Sequence, residues 1–311
     1  MSTFQNPLLP APHPDPWITC DGKSYWYCGS QDESIYIIVA DSLYSLADAP
    51  RTVVWQAPKT GPQSRHIWAP ELHRINDRWY ILYAADDGEN RNHRMFLLES
   101  ASDSPLGPYV NRGKVSSTDD HWAIDGTFLE HPDGNLYLIW SGWEGDTDGC
   151  QDLYIAPLSR TSPWVVTGPR VRISTPEYEW ECIGRPLVNE GPQVMVRDGR
   201  LFVIYSASGS WTEDYCLGLL YASVYDPVLE PKSWTKWEHP VFAKDPVVDV
   251  YGVGHASYIQ TPNGEWWIAY HGMDRPDGGW NGRSARLQRF TWSDDGFPVF
   301  GRPLPTNQPT A

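Results

Sequence analysis

The chain has 311 residues, with 24 basic and 39 acidic side chains and a net charge of −15. No basic run offsets that balance, so neither nucleic acid nor an anionic membrane surface is an expected partner. No stretch approaches the roughly 18 apolar residues of a membrane-spanning helix, and the length suits one large β domain. Seventeen Trp and seventeen Tyr exceed what a core of this size requires. Such rings form stacking faces for sugars, and they also fill β-sheet cores.

The amino terminus, Met1 to Pro7, has no basic segment leading into an apolar one, so no secretory leader is expected. Cys20, Cys28, Cys150, Cys182 and Cys216 are odd in number and lack metal spacing, which argues against a disulfide framework. There is no Asn-x-Ser/Thr site. Together these features predict a cytoplasmic protein, although a secreted chain stripped of its leader would look the same.

Helical periodicity is nearly absent; short alternating or aromatic runs recur instead. Tyr25-Trp26-Tyr27-Cys28 is followed by Tyr80-Ile81-Leu82-Tyr83, Tyr137-Leu138-Ile139-Trp140, Phe202-Val203-Ile204-Tyr205 and Trp267-Ile268-Ala269-Tyr270. Their first residues lie 55, 57, 65 and 65 apart. Each run follows a polar turn: Asp21-Gly22, Asn76-Asp77, Asp133-Gly134, Asp198-Gly199 and Asn263-Gly264. Repeats of this length with several strands per copy predict an all-β, five-bladed β-propeller spanning residues 1–311 as a single domain.

Counting back twelve residues from the later four runs reaches Trp68, Asp125, Glu190 and His255. In the first copy the turn is shorter, and Asp15 lies ten back from Tyr25. Each copy therefore brings one functional-type side chain to the start of an inner strand, where a propeller's strands converge on the channel. Glu190 stands before Gly191-Pro192, a backbone with little freedom. Between the copies, Met95 to Ala101 and Gly218 to Ser223 read as third strands. Residues 86–94 and 274–283 read as polar, flexible loops.

Three carboxylates around a Trp- and Tyr-lined pocket point to glycoside hydrolysis. A single displacement needs a base to activate water and an acid to protonate the leaving oxygen, roughly 6.5–9.5 Å apart. A third carboxylate keeps the acid protonated by like-charge repulsion. Each residue also has a plain structural reading. Asp15-Pro16 and Asp125-Gly126 resemble turns, Glu190 could be a solvated surface group, and Trp68 could be core.

The chain resembles family 43 of the glycoside hydrolases. The resemblance rests on His13-Pro14-Asp15-Pro16, Trp68-Ala69-Pro70-Glu71, Ile124-Asp125-Gly126, Asn189-Glu190-Gly191-Pro192 and Gly254-His255, in order and at blade spacing. It implies a five-bladed inverting enzyme with Asp15 as general base, Glu190 as general acid and Asp125 as the residue that tunes the acid. It further implies Trp68 in the sugar platform and an arginine near the reacting sugar. On that basis Arg286 is the candidate, with Arg283 and Arg289 on the surface. Trp17, Trp143 and Trp280 are further stacking candidates, Glu71 is expected to fix its blade, and His13 is unassigned. His255 is expected near the channel axis, where family members often hold calcium or another cation through water. No cluster of oxygen ligands demands that ion here, so no cofactor is required.

The expected activity is exo-acting α-L-arabinofuranosidase on arabino- or arabinoxylo-oligosaccharides. β-Xylosidase and endo-arabinanase are the alternatives within the fold, and a non-catalytic sugar-binding propeller is the alternative outside it.

Overall fold

The computed structural model describes residues 4–115, 119–307 and 309–310. A two-residue strand, β1 (Phe4–Gln5), opens the chain. The first blade holds β2 (Trp17–Cys20), β3 (Tyr25–Gln31), β4 (Ser34–Ala40) and β5 (Arg51–Gln56). The second holds β6 (Arg65–Ile75), β7 (Arg78–Asp86), β8 (Arg94–Ser100) and β9 (Tyr109–Val115). The third holds β10 (Ala123–Glu130), β11 (Leu136–Gly142), β12 (Asp152–Leu158) and β13 (Val171–Ser174). The fourth holds β14 (Asn189–Arg197), β15 (Arg200–Ala207), β16 (Cys216–Ser223) and β17 (Thr235–Lys236). The fifth holds β18 (Tyr251–Gln260), β19 (Trp266–Met273), β20 (Ser284–Trp292) and β21 (Pro298–Val299), and β22 (Pro309–Thr310) ends the chain.

Every blade is an antiparallel four-stranded meander in sequence order, so the expected five-bladed propeller is the observed architecture. The innermost strands, β2, β6, β10, β14 and β18, touch one another around the ring. The five aromatic runs form the second strands, and their polar turns join first strand to second. Asp198 and Gly199 both adopt left-handed backbone (φ 49° and 75°), the geometry a two-residue hairpin needs. Among the described residues there is no α-helix.

The aromatic residues are used chiefly between blades. Tyr27 and Trp267 pack in one cluster joining the first and fifth blades. Tyr83 and Phe96 meet Trp26 between the first and second. Tyr80 and Trp140 join the second and third, Tyr137 and Tyr205 the third and fourth, and Phe202 and Tyr270 the fourth and fifth. Each large side chain removed from water here stabilises by about 1.5–3 kcal/mol. The abundance of rings is thus largely a matter of sealing five interfaces.

A ring of blades needs a closure, and the segment before β2 supplies it. Strand β1 pairs with β22, and Leu9 bridges to Ala285 on β20. Buried Asn6 donates through Nδ2 to the Leu287 carbonyl (3.0 Å) and accepts from the Leu287 N–H at Oδ1 (2.8 Å). Strand β21 pairs with β20 at Thr291 and Trp292, so Asn6 and Leu9 satisfy the opposite end of that edge. We predict that Asn6→Ala lowers the unfolding free energy by about 2 kcal/mol, because it strands two buried backbone groups. Urea unfolding followed by tryptophan fluorescence measures this; an unchanged midpoint would show that Asn6 does not hold the ring shut.

Candidate active site

The inner strands do not run straight into the channel. The ladders of β6 with β7, β10 with β11, β14 with β15 and β18 with β19 shift register at Trp68/Glu71, Ile124/Thr127, Glu190/Gln193 and Gly254/Ser257. Such bulges re-aim side chains. Within each shift one residue is left-handed: Ala69 (φ 42°), Asp125 (φ 54°), Gly191 (φ 52°) and His255 (φ 45°). Asp15 (φ 53°) takes the same conformation ahead of β2. A non-glycine residue here is uncommon and costs free energy. Four such non-glycine positions around one channel mark a functional site.

All five residues counted from the sequence, Asp15, Trp68, Asp125, Glu190 and His255, line one cavity of about 510 Å³. That is the size of a typical small-ligand site. Asp15 Oδ1 lies 3.3 Å from Nδ1 of His255, 3.3 Å from Nδ1 of His271 and 3.4 Å from Nη1 of Arg283. Its backbone N–H donates to Nδ1 of His271 (3.2 Å). Burial pushes the Asp15 carboxyl up, but His255, Arg283 and His271 together outweigh burial and hold it well below the usual carboxylate range. Burial lowers both imidazoles, His271 to about 4. Arg283 is therefore the partner that carries full charge at neutral pH.

Glu190 is treated differently. Burial pushes it up to about 7, helped by the negative charge of Asp15 and opposed by hydrogen bonds from Tyr215 and Ser210 and by Arg283. The Tyr215 hydroxyl donates to Oε1 at 2.9 Å. Asp125 Oδ2 accepts the N–H of Gly191, the residue after Glu190, at 3.1 Å. Burial, then Glu190 and Asp15, raise Asp125 well above its ordinary value. Asp125 and Glu190 together resist carrying two negative charges. Gly191 is required where it stands: a Cβ there would sit 3.1 Å from the His255 ring, on a left-handed backbone.

The aromatic rim is built from several blades. Trp68, 37% exposed, stacks on buried His93 with ring centroids 4.0 Å apart. Trp122 and Trp143 stack on each other at 4.8 Å and line the cavity beside them. Trp211 and Trp280 meet edge to face at 5.9 Å on the side of Ser210. Trp122, Trp211, Tyr215, Ser210 and His271 were not singled out by the sequence. They lie in connections or beyond the counted position, where no periodic signal exists.

Two expected substrate contacts are corrected. Trp17 does not line the cavity: its Nε1 donates to the Leu72 carbonyl (2.8 Å) and its ring packs on His73, so it joins the first two blades. Arg286 is fully buried and turned away, bonded to Asp274, Thr306 and Ser284. Arg283, expected on the surface, is the guanidinium that faces the cavity. Its strand partner three residues on lies inside the blade. Arg289 pairs with Glu265. His13 contacts the Pro10 carbonyl and Arg51 and stays outside the cavity. Glu71 is buried against His73 (2.7 Å), Gln193 and Thr127, joining inner strands as expected.

The two polar loops are pinned rather than free. Asp86 ends β7 in full burial, with both oxygens 2.9 Å from Nδ1 of His66. Asp87 accepts from Asn92, and the Asn90 carbonyl accepts from Trp122 Nε1 (2.8 Å). In the other loop Asp274 takes Arg286.

His255 has two carboxylates near Nδ1, Asp15 at 3.3 Å and Asp125 at 3.8 Å. Among the described residues no group of three or more His, Cys, Asp and Glu side chains is arranged to hold a metal ion. A cation at His255 would draw most of its shell from water.

A five-bladed propeller with an ionised and a protonated carboxyl group across one aromatic cavity defines a site of the glycoside hydrolase kind. The chain matches Glycosyl hydrolases family 43 over residues 4–298 and belongs to that family. It is 36% identical over 267 residues to an extracellular exo-α-(1→5)-L-arabinofuranosidase of Streptomyces chartreusis, covering 84% of this chain and 79% of that one. It is 35% identical over 305 residues to α-L-arabinofuranosidase 43 of Humicola insolens, covering 94% of this chain but only 60% of that protein. The crystal structure of an α-L-arabinofuranosidase from Lactobacillus brevis superposes with a TM-score of 0.91 at 33% identity, covering 98% of both chains.

Proposed function

We propose that this chain is an inverting, exo-acting α-L-arabinofuranosidase that releases terminal arabinofuranose from arabino- or arabinoxylo-oligosaccharides. The observation that carries the reading is that Asp15 and Glu190 line one cavity with opposite surroundings: Asp15 is held low against its burial by His255, Arg283 and His271, and Glu190 is raised by burial. Asp15, ionised, takes a proton from water as the water oxygen attacks the anomeric carbon. The bond from that carbon to the leaving oxygen breaks, and Glu190 gives that oxygen its proton. Asp125 orients the acid through the Gly191 N–H, and burial together with the negative charge of Asp15 keeps the proton on Glu190. His255 and Arg283 hold the base. No step needs a metal ion. The choice of arabinofuranose is supported by the names of the relatives in Streptomyces, Humicola and Lactobacillus. A cavity of this volume takes one or two sugar rings between its indole walls.

Paired assays on nitrophenyl α-L-arabinofuranoside and nitrophenyl β-D-xylopyranoside should favour the arabinoside at least tenfold in kcat/KM. Proton NMR of early product should show the inverted anomer first. Preference for the xyloside would sink the substrate assignment, and initial retention would sink the single displacement. Glu190→Gln should lower kcat on oligosaccharides by roughly 10³-fold or more, the upper range for a general acid, with KM little changed. The loss should be far smaller on a dinitrophenyl leaving group, which departs without a proton; equal losses on both substrates would remove Glu190 from that role.

The pH profile of kcat/KM follows from the same two groups. Glu190 acts protonated, so activity should fall as pH rises through about 7. Asp15 acts ionised and is held low, so the acid limb should lie below the ordinary carboxylate range. Arg283→Met removes the permanent cation and should move the acid limb upward; an unmoved limb would mean that Arg283 does not hold Asp15 low.

A further inference from the structure

Around Glu190 stand Asp125 on β10, Asp15 ahead of β2, Tyr215 ahead of β16, His255 on β18, His271 on β19 and Arg283 ahead of β20. One further contact to Glu190 is neutral and comes from a connection. Ser210, between β15 and β16, lines the cavity with Glu190, and its hydroxyl is among the groups that oppose the rise of the Glu190 carboxyl. Its Oγ also accepts the indole Nε1–H of Trp280 at 3.2 Å.

Trp280 begins a 3₁₀ turn, Trp280–Gly282, in the connection between β19 and β20. Gly279 precedes it at φ 55°, ψ −160°, a conformation open to glycine. The Trp280 carbonyl accepts from Nε of Arg283 (3.1 Å), and Nη1 of Arg283 reaches Asp15 Oδ1 (3.4 Å). A single turn thus contacts the base through a guanidinium and the acid through a serine. The indole ring is 57% exposed, so one edge is bonded inward while much of its face stays open.

A serine hydroxyl has one proton to donate and two lone pairs. With the indole N–H on a lone pair, the hydroxyl proton is left to point at the carboxyl oxygen. That donation stabilises the carboxylate that forms as the proton departs. Tyr215 supplies a second donor to the same group.

We propose that Trp280 is a positioning residue for the general acid: its indole N–H turns the Ser210 hydroxyl toward Glu190, and the turn that carries it holds Arg283 on Asp15. The role rests on Glu190 being the acid. It assigns Trp280 a function distinct from stacking on sugar, which would need the ring face and not the N–H.

Trp280→Phe keeps an aromatic face and deletes the donor. In the full-length protein, the alkaline limb of kcat/KM should move up by roughly 0.5 pH unit, the scale of one neutral hydrogen bond. Turnover of an arabino-oligosaccharide should fall roughly threefold, while turnover of a dinitrophenyl arabinofuranoside should be essentially unchanged. Ser210→Ala should shift the limb in the same direction, and adding Trp280→Phe to it should shift the limb no further. ¹³C NMR titration of glutamate-labelled protein reads the Glu190 shift without any turnover. A Trp280→Phe protein whose Glu190 titration and alkaline limb stay in place, with the loss confined to KM on both substrates, would overturn the proposal and leave Trp280 a stacking residue. If instead Glu190→Gln leaves oligosaccharide turnover intact, the acid assignment itself fails.

Discussion

The left-handed residue at the mouth of each inner strand is the constraint on which the site depends. A straight strand would alternate its side chains between the faces of its blade, and both faces are packed against neighbouring blades. The break at Asp15, Ala69, Asp125, Gly191 and His255 turns side chains toward the channel axis instead. Each non-glycine residue among them costs about 1 kcal/mol or more, and the flanking ladders and the apolar layers between blades offset it. In blades one, three and five the left-handed residue is itself the functional one. In blades two and four it is Ala69 or Gly191, and the preceding Trp68 or Glu190 enters the cavity. The bulge sets the depth, while the residue chosen at the bulge sets which atom points inward.

Placing three carboxylates in one cavity creates a charge problem whose solution is the chemistry. Burial raises all three. Asp15 escapes because it has a permanent cation, Arg283, and two imidazoles in contact. Glu190 has neutral donors, Tyr215 and Ser210, which only partly oppose burial. Asp125 has a single backbone N–H and two negative neighbours. Whether a partner carries full charge or merely a dipole therefore decides which carboxyl is held low and which is raised.

The propeller and its inward residues were legible because β turns and aromatic second strands have fixed lengths. Twelve residues from the inward side chain to the start of the aromatic run is a hairpin's arithmetic, and it located Trp68, Asp125, Glu190 and His255 on the cavity. That count does not reach Trp17, which was expected only as a stacking candidate. Asp15 and Trp17 share parity, but the left-handed backbone at Asp15 resets the alternation, and Trp17 turns toward Leu72 instead. Arg283 and Arg286 illustrate a second limit. Strand pattern says that both belong near β20, but not which end faces the channel, and the acceptors of Arg286 at Asp274 and Thr306 lie outside that strand. Tyr215, Ser210, Trp122 and Trp211 sit where the chain has no period to count.

That division separates what the strands do from what the connections do. Asp125 and Glu190 are mounted on bulged strands and Asp15 stands just ahead of β2, so their spacing follows from the architecture. The indoles other than Trp68 are mounted on connections, where Trp122 is held by the Asn90 carbonyl and Trp280 by Ser210. Trp68 itself is strand-borne, yet its ring orientation depends on His93, whose imidazole lies against buried Asp86. Acid–base chemistry requires a few atoms at fixed depth, which a repeated strand supplies. Recognition of one sugar over another requires a shaped wall, which the connections supply. The reaction class is accordingly written in the repeat, and the preferred sugar is written between the repeats.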